Sequence, residues 1–86
     1  MNDFDLKRKQ DGEEFLRLLS SFHSQNPQLR IGQTIVNMLG PLGFSVPPIS
    51  GDLFYVENDV LLSRLRMFIE FINNYPGRND GPEDAG

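Results

Sequence analysis

Proline cuts this chain into short pieces that leave room for three helices and little else. The cuts fall at Asn26-Pro27, Gly40-Pro41 and Tyr75-Pro76-Gly77. A residue before proline is pushed out of the α region, and proline cannot continue a helix already under way. Upstream of the first cut, Phe15, Leu18, Leu19 and Phe22 recur at i, i+3, i+4 and i+7, which is one face of an α-helix. Asp11-Gly12-Glu13-Glu14 has the spacing of a capping box. The pattern predicts a first helix from about Asp11 to just before Asn26. Residues 1–10, with the basic cluster Lys7-Arg8-Lys9, read as a flexible or partly helical lead-in.

The second piece carries its own signals. Asn26 is a favoured N-cap, Pro27 suits the first helical position, and Gly40 suits a left-handed residue just past a helix end. A helix over Pro27–Leu39 is expected. Its apolar residues Leu29, Ile31, Ile35, Val36, Met38 and Leu39 cover more than half of its circumference. Such a helix must be covered on two sides, so it is either the central one of three or part of an oligomer interface. Ile31, Ile35 and Met38 are the residues expected at a self-association face.

Gly40–Gly51 is an apolar loop, with Leu42, Phe44, Val46 and Ile49 among three prolines and three glycines. Its side chains are expected to pin it across the open end of the bundle. Leu53-Phe54-Tyr55-Val56 reads equally as a short extended segment or a single turn. Asn58 or Asp59 then caps a third helix running to about Tyr75. Leu61, Leu62, Leu65, Phe68, Ile69 and Ile72 form its apolar face, opposite Ser63, Arg66, Glu70 and Asn73. The expected fold is all-α: a small three-helix domain over residues 11–75 with a hydrophobic Pro/Gly-rich crossover loop. The last segment, Pro76–Gly86, has almost no apolar side chain and is expected to be a disordered acidic tail.

Composition narrows the function. With 86 residues and no cysteine, disulfide scaffolds, thiolate zinc sites and thiol nucleophiles are all excluded. No apolar run approaches a membrane span and no basic-then-apolar leader opens the chain, so a cytoplasmic protein is expected. The net charge is −4, which disfavours a protein that works by neutralising many phosphates. Half of that charge lies in the tail, however, and the folded part is nearly balanced.

Arg30, Gln33, Thr34 and Asn37 fall at i, i+3, i+4 and i+7 on the second helix, one narrow polar stripe without lysine or glutamate. A solvated face is the plain explanation. The alternatives are internal, with Gln33 or Asn37 satisfying the loop backbone, or external, with Arg30 forking a carboxylate or phosphate on a partner. Gly32 suits close approach of another backbone. Asp52, Glu57 and Asp59 gather three carboxylates in eight residues, but calcium-loop spacing is missing, and helix capping explains them more simply. An ion pair from Arg30 to Glu57 or Asp52 is expected to tie the two regions together. His23 lies near Ser20, Ser21 and Ser24, yet nothing fixes a triad around it. Neither a catalytic set nor a metal or cofactor site emerges.

Leu29-Arg30-Ile31-Gly32-Gln33-Thr34-Ile35-Val36-Asn37, followed by Gly51-Asp52-Leu53-Phe54-Tyr55-Val56-Glu57-Asn58-Asp59-Val60-Leu61-Leu62, resembles a pattern in small bacterial and phage proteins of uncharacterised function. There a helix reading approximately L-R-x-G-Q-x-I-x-N precedes D-x-F-Y-x-E-D-x-x-L. The resemblance implies motif positions at Arg30, Gly32, Gln33, Asn37, Asp52, Phe54, Tyr55, Glu57 and Leu61, and it implies no activity. Asn58 stands where an acid is common, and the loop between the halves is longer and richer in proline. The first departure weakens any metal site near Glu57.

A small non-catalytic interaction module is therefore expected: an accessory, adaptor or inhibitor protein of phage or mobile-element type, with a protein partner or a second copy. The alternative is a nucleic-acid-binding protein that reads DNA with Arg30, Gln33 and Asn37 of the second helix.

Overall fold

The computed structural model describes residues 2–43 and 46–74. The chain is all-α. Helix α1 spans Asp3–Gln25, α2 spans Ile31–Leu39 and α3 spans Asn58–Asn74, with a 3-10 turn at Leu53–Tyr55 before α3. The expected acidic tail and Phe44 of the loop lie outside the described residues.

Helix α1 does not begin at Asp11. Asn2 is its N-cap, and the Asn2 side-chain oxygen accepts from the Asp5 amide at 2.8 Å. Asp3 and Asp5 place negative charge in the first turn, where the helix dipole favours it. Asp11 is mid-helix, and its carboxylate takes the Lys7 ammonium at 2.7 Å, one turn back. Lys9 and Glu13 pair in the same way at 2.8 Å. These i, i+4 contacts favour a helix through the segment read as a lead-in.

Asn26 closes α1 rather than opening α2. Its amide donates to the Phe22 and His23 carbonyls at 3.0 and 3.2 Å, and its side-chain Nδ2 reaches the Phe22 carbonyl at 3.0 Å. The Leu29 amide then bonds the Asn26 carbonyl at 3.0 Å, so Pro27 serves as the second residue of a turn. Proline's fixed φ suits that position as well as the first turn of a helix. Helix α2 is consequently shorter than expected and starts at Ile31, with Arg30 in extended conformation as N-cap.

Gly40 is not left-handed either; its φ is −77°. The C-terminal carbonyls of α2 are satisfied from elsewhere. The Ile49 amide donates to the Leu39 carbonyl at 2.8 Å. Arg64, on α3, reaches the Met38, Gly40 and Pro47 carbonyls with its three nitrogens. Nε donates to Met38 at 2.9 Å, Nη1 to Pro47 at 3.0 Å, and Nη2 to Gly40. A helix that might have ended on a left-handed glycine ends instead on a guanidinium, whose charge also suits the negative end of the helix dipole. Among the described residues of the loop, Gly43 and Gly51 are left-handed, at φ +82° and +97°; a side chain at either would be strained.

Helices α1 and α3 run parallel. Arg8 meets Glu57 near the start of both, and the Phe22 and Phe68 rings meet near their ends, edge to face with centroids 5.6 Å apart. The short α2 returns between these ends and reaches back along α3 as far as Arg64. Phe22, Met38, Leu65 and Phe68 form the core, with Phe15, Leu18, Leu19, Ile35, Leu61 and Ile72 among those packed around it. Met38 is 1% exposed, so it is a core residue and not part of a self-association face. Ile35 is half-buried against the same cluster, and only Ile31 of that expected trio is exposed. Ile35 and Met38 lie on the side that α2 turns inward, and Ile31, at the first turn of the helix, stays in solvent.

Candidate interaction surface

The polar stripe on α2 divides. Thr34 is 3% exposed and belongs to the interior. Gln33 is exposed, but its Oε1 accepts from the Arg30 backbone amide at 2.7 Å, capping its own helix. Arginine has no acceptor to complete the reciprocal bond of a capping box. Arg30 and Asn37 are exposed. Gly32 has nothing within 4 Å of where a Cβ would stand, so no close approach within the molecule explains it. Neither Gln33 nor Asn37 satisfies the loop; Arg64 does.

The expected ion pair between Arg30 and Glu57 or Asp52 is replaced by another. Glu57 receives Arg8 as a two-pronged pair, Nε to Oε1 at 3.0 Å and Nη2 to Oε2 at 3.2 Å. That contact holds the pKa of the Arg8 guanidinium above its ordinary value, chiefly through the hydrogen bond it donates to Glu57. Beside it, Asn58 Nδ2 donates to the Arg8 carbonyl at 2.9 Å, and Gly12 lies so close that a Cβ there would stand 2.9 Å from that nitrogen. A glycine in the middle of α1 thus lets the first turn of α3 approach. Along the same seam, Glu14 is held below the usual carboxylate range, first by its hydrogen bond from Arg17 and then by the charges of Arg17 and Arg66.

Asp52 acts as a cap, its Oδ1 accepting from the Phe54 amide at 2.9 Å. The Tyr55 amide bonds the Asp52 carbonyl and the Val56 amide the Leu53 carbonyl, each at 3.1 Å. Leu53–Val56 is therefore a turn and not an extended segment, and it leads directly into α3. The Phe54, Tyr55 and Val56 amides of this turn are all bonded, yet its side chains face outward. Phe54 is 83% exposed and Tyr55 77% exposed, and their rings touch edge to face at 5.0 Å. Leu53 is partly exposed beside them. Two large aromatic rings held on a braced turn and left in water form the feature of this surface that internal packing does not explain.

A groove opens between α1 and α3, with a volume of about 230 Å³ and walls from Gly12, Phe15, Leu16, Asn58 and Leu61. Leu16 stands at its lip, 64% exposed. The resemblance positions Asp52, Phe54, Tyr55 and Glu57 thus gather at the entry to α3, while Gly32, Gln33 and Asn37 lie on α2 and Arg30 is its N-cap. Among the described residues, no three His, Asp or Glu side chains gather as a metal site would need, and no helix is long and apolar enough to cross a membrane. His23 lies half-buried in the last turn of α1.

Arg64 is the residue that sequence reasoning missed. It occupies the step between Leu61 and Phe68 on the apolar side of α3, and an arginine at that register is the signal of a buried polar contact. Gly12 was legible only as part of the capping-box spacing Asp11-Gly12-Glu13-Glu14.

Most of the chain's positive charge is already engaged. Among the described residues, Lys7, Arg8, Lys9, Arg17 and Arg66 pair with carboxylates and Arg64 with carbonyls, which leaves Arg30. Comparison with family models, with curated proteins and with solved structures gives no match, so the motif resemblance rests on its own residues.

Proposed function

We propose that this protein is a small non-catalytic interaction module, an accessory, adaptor or inhibitor protein, whose docking element is the turn Leu53-Phe54-Tyr55. The carrying observation is that Phe54 and Tyr55 are 83% and 77% exposed on a turn whose Phe54, Tyr55 and Val56 amides are all bonded. A ring in water gains nothing from being held in place. A ring that must enter a pocket on a partner does gain, because the ordering entropy has been met before binding. Aromatic side chains also dominate the energetic centres of protein interfaces. The partner it fits is a protein surface with an apolar pocket. The chain's lack of cysteine suits a cytoplasmic setting, and the motif resemblance favours a phage or mobile-element origin.

Reading of DNA by α2 has less behind it. Thr34 is internal, Gln33 caps its own helix, and Arg30 is the one cation among the described residues without a carboxylate or carbonyl partner. The test is capture of partners by the wild-type chain and by Phe54→Ala/Tyr55→Ala, with Arg30→Ala/Asn37→Ala beside them. Loss of binding on removing the rings, with helicity retained, supports the proposal. Binding that survives loss of the rings and fails without Arg30 and Asn37, or tight salt-dependent binding to duplex DNA, would replace it.

A further inference from the structure

We infer that the partner pocket for the aromatic turn exists on this same chain: the turn of one molecule enters the α1–α3 groove of a second copy, and the second returns the contact. The inference rests on the turn being a docking element, and adds what it docks into.

Size comes first. The groove of about 230 Å³ is larger than the roughly 150 Å³ cavity that suffices to hold a benzene molecule. Its walls offer the Phe15 ring, Leu16 and Leu61, with Gly12 adding no side chain of its own. Neither ring of the turn fills the groove within its own molecule, since both are more than three-quarters exposed. The groove is open because α2 is short. It reaches back along α3 only to Arg64, and the groove lies beyond that contact, toward the start of α3.

Placement comes next. Tyr55 is three residues from Asn58, which lines the groove, so projection and recess sit together at the entry to α3. A two-fold dimer requires this: each copy must present both halves on one patch, so that the contact made is also the contact received.

Area agrees with a modest affinity. Side chains such as Phe and Tyr bury about 150–250 Å² each, and most of that is available at Phe54 and Tyr55. With the exposed parts of Leu16, Leu53 and Val60, each copy offers roughly 600 Å² of apolar surface, somewhat below the ~800 Å² per partner of a standard interface. The dimer is therefore concentration-dependent rather than permanent.

The experiment is sedimentation velocity on the full chain across protein concentration, for wild type, Phe54→Ala and Leu16→Glu, and for an equimolar mixture of the two variants. Wild type should pass from monomer to dimer as concentration rises. Each substitution removes both symmetric contacts and should weaken the dimer about a hundredfold, near tenfold per contact. The mixture should associate more tightly than either variant alone, because the Leu16→Glu chain still carries a projection and the Phe54→Ala chain still carries a groove. Circular dichroism of each variant reports retained helicity; Leu16→Ala replaces Leu16→Glu if the charge disturbs α1. A wild-type monomer up to about 1 mM overturns the inference while leaving the docking role of the turn to partner capture. A dimer indifferent to Leu16 substitution, or a mixture no tighter than its components, overturns it as well.

Discussion

Replacing Arg64 with methionine isolates what one guanidinium does for this fold. The methionine keeps much of the apolar stem and loses all three donors. In the wild type those donors hold the Met38, Gly40 and Pro47 carbonyls, joining α3 to the end of α2 and to the far side of the loop. Hydrogen bonds to a charged group contribute about 1.5–3 kcal/mol each, so the gross loss is about 4–9 kcal/mol. Two effects offset it. The variant no longer buries a charge, whose desolvation costs several kcal/mol, and water can reach the carbonyl of exposed Pro47. The Met38 carbonyl belongs to a fully buried residue and gains no such relief, at a cost of about 1–3 kcal/mol. The net expectation is a destabilisation of about 2–4 kcal/mol. A chain of this length has about 4–13 kcal/mol in total, and its melting temperature should fall by about 10–25 °C. Thermal and urea denaturation followed by circular dichroism measures it. Arg64→Lys should fall between wild type and Arg64→Met, since an ammonium lacks the three-nitrogen fork. Amide exchange at Ile49, whose donor closes the same loop onto Leu39, should speed up early. If Arg64→Met is destabilised by less than about 0.5 kcal/mol, desolvation dominates and the clamp is not what holds the loop.

Three further outcomes follow from the α1–α3 seam. Gly12→Ala should be close to neutral, because a gain of about 1 kcal/mol in helix propensity is cancelled by displacing Asn58 from the Arg8 carbonyl, about 0.5–1.5 kcal/mol. In an Asn58→Ala background the same substitution should stabilise by about 1 kcal/mol, and a double-mutant cycle by urea denaturation reads the difference. Glu14 has a folded pKa below its unfolded one, so its stabilisation is present above the ordinary carboxylate value and is lost as pH falls through the folded value. Melting curves from about pH 5 to pH 3 should therefore fall more steeply for wild type than for Glu14→Gln. Arg8→Gln should speed amide exchange in the first two turns of α1 while leaving global unfolding nearly unchanged, since the Arg8–Glu57 pair is exposed and an exposed pair tethers locally.

The fold was legible where one signal had one meaning. The i, i+3, i+4 spacing of Phe15, Leu18, Leu19 and Phe22 and of Leu61, Leu65, Phe68 and Ile72 admitted only helices. Pro41 admitted only a stop. It was illegible where a residue type serves two structures equally. Asn26 caps either end of a helix with the same side chain, and Pro27 fits a turn as well as a first helical turn. Gly40 needed no left-handed conformation once an arginine 24 residues away took its carbonyl. The candidate surface divides in the same way. Phe54 and Tyr55 were visible as motif positions, but their exposure depends on which way a three-residue turn faces. The α2 stripe looked continuous in helical projection, yet Thr34 sits on its inner edge, and α2 buries that edge.

The central claim is that Phe54 and Tyr55 are held for a partner and not for the fold. The melting temperature of Phe54→Ala/Tyr55→Ala tests it most directly, measured at low protein concentration so that self-association does not contribute. Removing rings on residues that are 83% and 77% exposed should change stability by no more than about 0.5 kcal/mol, which is about 2–4 °C. A fall of about 10 °C or more would make the pair internal scaffolding and contradict the claim.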